Sequence, residues 1–157
     1  MATARPAVKG VRNFDPAAMA EHRRRRGLSL DQLGERIGRA RPNLITWEKG
    51  RSTPSPPKLV ALAAALGVKP WQLTTIEPRS AELADLRAWA GLSQQELADQ
   101  AGLVRATYAL VERAELPLRP DVAQALSRVL GRQVREIELA YGRTARHRRT
   151  EAGAASS

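Results

Sequence analysis

The chain repeats itself. Shifted by 64 residues along its own length, the sequence realigns without a gap. Gly27-Leu28-Ser29 falls on Gly91-Leu92-Ser93, Leu33 on Leu97, Gly38 on Gly102 and Arg41 on Arg105. Glu48 falls on Glu112, Leu62 on Leu126, and Leu66-Gly67 on Leu130-Gly131. About 15 of some 59 aligned positions are identical. Biased composition can match Ala and Leu by chance, but it does not match Gly, Ser, Arg and Glu in one register. The pattern restricts the fold to two tandem copies of one small module. The copies cover 15–76 and 80–142, with Glu77-Pro78-Arg79-Ser80 as the junction. Residues 1–14 form a basic arm and 143–157 a basic tail, both expected to be flexible.

Each copy reads as about five short helices. Asp15 is placed as an N-cap with Pro16 at the first helical position, and Gly27 ends that helix near Arg26. Ser29-Leu30-Asp31-Gln32 and Ser93-Gln94-Gln95-Glu96 fit capping boxes, and Gly38 and Gly102 close the helices they open. A third helix spans about 41–49 and 105–113, with Leu44 and Trp47 or Tyr108 and Val111 three apart on one face. After a proline-rich turn, a fourth helix spans about 57–66 and 121–130 and closes at Gly67 or Gly131. A last short helix follows Pro70, and another surrounds Ile137. No segment alternates as a strand does, so the class is all-α.

Composition removes most chemistry. The 157 residues contain no cysteine and only two histidines, which excludes disulfide frameworks, Cys-ligated zinc, iron–sulfur clusters and thiol nucleophiles. His22 and His147 lack metal-ligand spacing, no phosphate-binding Gly-rich loop occurs, and no catalytic constellation is evident; neither enzyme activity nor a cofactor is expected. No apolar run reaches the length of a membrane span, and the N-terminus lacks a secretory signal, so a cytoplasmic protein is expected. What stands out is a net charge of +10, unevenly spread. Residues 1–80 carry +9, 81–142 carry −2 and 143–157 carry +3. The excess charge points to a polyanion, nucleic acid first and an anionic membrane second.

Two short helices joined by a Gly-containing turn make a helix-turn-helix, a weak signal by spacing alone. Here the match is longer. Gly38, Trp47-Glu48, Gly50, Pro54, Leu62-Ala63 and Leu66-Gly67-Val68 stand in the register of the lambda-repressor-like, XRE-type helix-turn-helix family, which the first copy resembles over 22–73 and the second more loosely over 86–137. The resemblance implies a bacterial DNA-binding transcription regulator whose third helix enters the major groove. It brings Ala40, Arg41, Pro42 and Thr46 to the bases, with Arg41 the best suited, since a guanidinium reaches guanine O6 and N7 together. The corresponding base-contacting candidates of the second copy are Arg105 and Ala106. Phosphate-contacting candidates are Arg23, Arg24, Arg25, Arg26, Asn43, Arg51, Arg87, Gln94 and Thr107. For Arg23 and Arg87 a structural role stands beside phosphate contact. Arg5, Lys9 and Arg12 of the arm, and Arg143, Arg146, Arg148 and Arg149 of the tail, either follow DNA or merely solubilise. Leu44 and Trp47 are core positions, and Glu48 is a structural glutamate that locks helix ends or an arginine.

Both copies depart from the family, and the second also loses reading groups. Leu30 replaces the family's Gln, which the second copy keeps as Gln94; Ala40 and Val104 replace its Ser/Thr cap, at a cost of about 1 kcal/mol each. Leu110 takes the place of Thr46, and Ala114 that of Gly50. Double-stranded DNA is therefore the expected partner of the first copy. The second copy either lies on an adjacent site or serves packing or homodimerisation. An antitoxin-like module that holds a protein partner and regulates its own gene is the alternative from another class.

Overall fold

The computed structural model describes residues 10–157, and the chain divides into two units between Glu77 and Pro78. The first unit holds α1 (Pro16–Arg25), α2 (Leu30–Ile37), α3 (Arg41–Glu48), α4 (Pro56–Leu66) and one 3-10 turn, Pro70–Leu73. The second opens with a 3-10 turn, Pro78–Ser80, and continues as α5 (Leu83–Trp89), α6 (Gln94–Ala101), α7 (Arg105–Glu112), α8 (Pro120–Leu130) and α9 (Val134–Ala155). Among the described residues there is no strand, only an isolated antiparallel bridge between Phe14 and Thr74. The class is all-α.

Caps set the helix boundaries. Asp15 Oδ1 accepts from Ala18 N at 3.1 Å with Pro16 at N1, as the sequence predicts. Ser29 Oγ accepts from Gln32 N, and Gln32 Oε1 accepts in return from Ser29 N, a complete capping box. Ser93 Oγ caps α6 through Glu96 N. Ala40 and Val104 leave α3 and α7 without a side-chain cap.

The repeat becomes one core built twice. Met19, Leu33, Leu44, Leu62 and Leu73 are fully buried in the first unit. Leu83, Leu97, Tyr108, Leu126 and Ile137 are fully buried in the second, each 64 residues on. Bulk trades places between adjacent positions: Leu44 with Trp47 in one core becomes Tyr108 with Val111 in the other. Such a swap keeps volume roughly constant, which a close-packed interior requires.

Residues 10–14 and the C-terminal tail depart from the flexible segments expected of them. The expected arm, 1–14, is described only from Gly10 onward, and Arg5 and Lys9 lie outside the described residues. The described part is packed: Val11 and Phe14 are buried, Val11 N donates to Pro54 O at 2.8 Å, and Thr75 N donates to Asn13 O at 2.8 Å. The tail, 143–157, is helical to Ala155 as the continuation of α9. The physical reason is a stripe: Ile137, Ala140 and Thr144 are buried at i, i+3 and i+7, so the core face runs past the last residue of the repeat. The two fifth elements also differ, a single 3-10 turn in one unit and a 22-residue helix in the other.

One backbone position records the divergence of the copies. Gly50 adopts φ +67, and its counterpart Ala114 adopts φ +55, in the left-handed region that penalises a Cβ. Ala114→Gly is expected to stabilise the second unit by about 0.5–1 kcal/mol, a few degrees in thermal melting. Gly50→Ala should cost a similar amount, since a Cβ there meets only Pro16 Cγ at 3.5 Å.

Candidate nucleic-acid interface

In the first unit, α2 and α3 form the helix-turn-helix. Gly38 closes α2 in the left-handed conformation, and Arg39 N returns to Gly34 O at 2.9 Å. α3 then starts at Arg41 with its rear anchored by buried Leu44 and Trp47. Its N-terminal end is left outward: Ala40, Arg41, Pro42 and Asn43 are all exposed. Arg41 Nη1 lies 3.5 Å from Asp31 Oδ2 with both side chains more than half exposed, a loose tether rather than a fixed pair. Thr46 differs from its neighbours. It is half-buried, its hydroxyl donates to Asn43 O at 2.7 Å, and it pairs with Ser52 Oγ at 2.7 Å.

The four consecutive arginines at the end of α1 have four different surroundings. Arg23 is drawn inward, Nε to Glu48 Oε1 at 2.6 Å, Nη2 to Glu48 Oε2 at 3.2 Å, and Nη1 to Leu28 O at 3.0 Å. This bidentate pair ties α1 to the end of α3 and fixes the angle at which α3 projects. Arg25 pairs with Glu21 at 2.6 Å, and Arg26 Nε donates to Leu66 O at the end of α4. Arg24 is exposed and has no side-chain partner among the described residues. Arg51, in the turn after α3, is likewise exposed and unpaired among the described residues. Three exposed cations outside the sequence-derived set, Arg36, Arg39 and Lys49, lie on the same two helices and their turns. The repeat gives no signal for Arg36 and Arg39, whose counterparts are Gln100 and Leu103, whereas Lys49 falls on Arg113.

The second unit repeats the lock. Arg87 Nε meets Glu112 Oε1 at 2.6 Å, and Arg87 Nη1 donates to Leu92 O at 2.9 Å. Glu112 also accepts from Gln94 Nε2 and, at 3.3 Å, from the Tyr108 hydroxyl. Gln94 thus braces α7 from within. In the first unit, where Leu30 replaces it, the second nitrogen of Arg23 takes that acceptor instead. Arg105, Ala106 and Thr107 are exposed at the start of α7, beside Val104, which is 71% exposed.

Burial, and then the negative charge of Glu112, push the Tyr108 hydroxyl far above the usual tyrosine range. Folded and unfolded states therefore hold the same proton until about pH 10, where the unfolded chain releases it and the folded one does not. The contribution of Tyr108 to the stability of the second unit is full below that pH. Above it, about 1.4 kcal/mol should be lost per pH unit. Tyr108→Phe should flatten this alkaline slope in denaturant titrations.

Among the described residues no helix is long and apolar enough to cross a membrane, and no group of three His, Cys, Asp or Glu could hold a metal ion. A helix-turn-helix domain family matches residues 17–74, and a second helix-turn-helix family matches 83–137. The chain is 45% identical over 47 residues to an uncharacterized HTH-type transcriptional regulator of the archaeon Methanothermobacter thermautotrophicus, covering 30% of this chain and 68% of that protein. No solved structure matches the chain.

Proposed function

The chain belongs to the helix-turn-helix family, as two tandem domains of the lambda-repressor-like, XRE type, and from that premise we propose that it is a sequence-specific, double-stranded DNA-binding transcription regulator. The carrying observation is the outward end of α3. Arg41, Pro42 and Asn43 stand exposed on a helix whose rear is buried and whose angle is locked by Arg23 and Glu48. Arg41 and Pro42 read base edges in the major groove, together with Ala40 and the methyl of Thr46. Asn43, Arg24 and Arg51 neutralise backbone phosphates, helped by Arg25 and Arg26 when they exchange their present partners. Arg23, Arg87 and Gln94 act from behind, by aiming the helices. In the second domain Arg105, Ala106 and Thr107 lie on an adjacent stretch of the same duplex. A bacterial, cytoplasmic setting belongs to the same proposal.

A second reading has one observation in its favour. Val104 presents apolar surface where the family places a Ser or Thr cap. If that surface is covered by another copy or by a protein partner, as in an autoregulating antitoxin, the first domain alone holds DNA.

Selection of bound fragments from a random duplex pool, with footprints on the recovered sequences, tests both readings. An enriched motif and a footprint longer than one major-groove contact are expected. Equal affinity for scrambled duplexes overturns sequence-specific reading. A footprint length and an affinity both unchanged by Arg105→Ala overturn base reading by the second domain.

A further inference from the structure

The turns that follow α3 and α7 are built alike. In the first, Arg51 N and Ser52 N donate to Thr46 O at 2.9 and 3.3 Å; in the second, Glu115 N and Leu116 N donate to Leu110 O at 2.8 and 3.3 Å. The charge they carry differs. The first turn presents exposed Lys49 and Arg51. The second presents Arg113 and Glu115, which pair with each other at 3.0 Å and cancel. An anion thus stands where the first domain offers a free guanidinium to phosphate.

α9 brings a cation, Arg148, to this turn. The Tyr141 hydroxyl donates to Leu116 O, and Arg148 Nη1 to Ala114 O, both at 2.8 Å, so successive turns of α9 lie along it. Buried Ile137, Ala140 and Thr144 seat the helix, and Arg143 Nη1 fixes it to Ala81 O at 2.8 Å. Glu115 responds electrically: the hydrogen bond from Arg113, with the charges of Arg113 and Arg148, holds its carboxyl below the usual range. Arg146 and Arg149 are exposed on the same stretch, with no side-chain ion pair among the described residues. A helix that holds arginines in place beforehand loses less conformational freedom on binding than a disordered tail does.

We propose that residues 146–149 of α9 form the phosphate-contacting element of the second domain, supplying to the DNA backbone the cations that the turn after α7 has lost. The proposal rests on the second domain lying on DNA. The test uses the full chain, duplexes recovered from the random pool, and salt titrations of affinity. The double variant Arg146→Gln, Arg149→Gln removes two charges without touching a contact of the fold. It should make the slope of log affinity against log salt shallower by about two units and remove backbone protection at one end of the hydroxyl-radical footprint. Arg148→Gln should remove about one further unit and also lower the melting temperature. A double variant with unchanged slope and footprint overturns the proposal; if Arg41→Ala still impairs binding in that experiment, the reading of the first domain stands. A wild-type chain that binds no duplex overturns both.

Discussion

Glu112→Ala is expected to remove a large share of the second domain's stability, while the first keeps its melting transition. The carboxylate is 4% exposed and gathers Arg87, Gln94 and the Tyr108 hydroxyl onto its two oxygens. Truncation leaves a half-buried guanidinium, a half-buried amide and a buried phenol without their shared acceptor, and removing one partner of a buried pair costs about 3–5 kcal/mol. A domain of this size has a total stability of about 4–12 kcal/mol. Glu48→Ala should cost less, about 2 kcal/mol, because Glu48 is 15% exposed and water can solvate Arg23 once the carboxylate is gone. Denaturant unfolding, followed at Trp89 for the second unit and at Trp47 and Trp71 for the first, reads the difference. A Glu112→Ala variant as stable as wild type would show that the convergence on Glu112 contributes nothing to holding α7. Glu112→Gln separates charge from shape, since it can still accept from Gln94 but no longer pairs with Arg87.

That lock was half legible in the sequence. Arg23 and Glu48 recur as Arg87 and Glu112, each arginine 25 residues before its glutamate, and a structural partner for the glutamate was expected. Helices α2, α3 and α4 were legible too, because Ser29, Gly38, Pro56 and Gly67 mark their ends and recur as Ser93, Gly102, Pro120 and Gly131. What belongs to one copy alone was not. The repeat runs out near residue 142, and an Arg-rich sequence beyond it reads as solvated tail, yet the stripe from Ile137 to Thr144 carries α9 onward. Val11 and Phe14 were missed for a similar reason: their partners, Pro54 and Thr74, are about 43 and 60 residues away, beyond any local periodicity. Within the run Arg23 to Arg26, nothing local says which guanidinium is free. That depends on Glu48, Glu21 and the Leu66 carbonyl, which only the fold brings near.

Arg41→Ala should abolish discrimination at one base pair while leaving the fold intact. A bidentate guanidinium–guanine contact is worth about 1–3 kcal/mol of preference over the wrong base, roughly a 5- to 150-fold loss in affinity for the preferred duplex. Folding should barely change, since the contact with Asp31 is long and exposed, and surface pairs of this kind contribute about 0–1 kcal/mol. Arg41→Lys sharpens the test. It preserves the charge but not the planar fork, so affinity for scrambled duplexes should persist while preference for the selected sequence falls. If Arg41→Ala weakens selected and scrambled duplexes by the same factor, and the salt slope drops by about one unit, Arg41 is a phosphate contact. The base reading would then rest on Pro42 and the methyl of Thr46. Those groups can sense a thymine methyl but present no donor to a base edge, because proline has none and the Thr46 hydroxyl is already engaged with Asn43 O and Ser52 Oγ. Specificity would shrink to an A·T preference at one or two positions. The sequence logo of the selected fragments therefore distinguishes the two cases: a fixed guanine lost on Arg41→Ala, or no fixed guanine in the wild type.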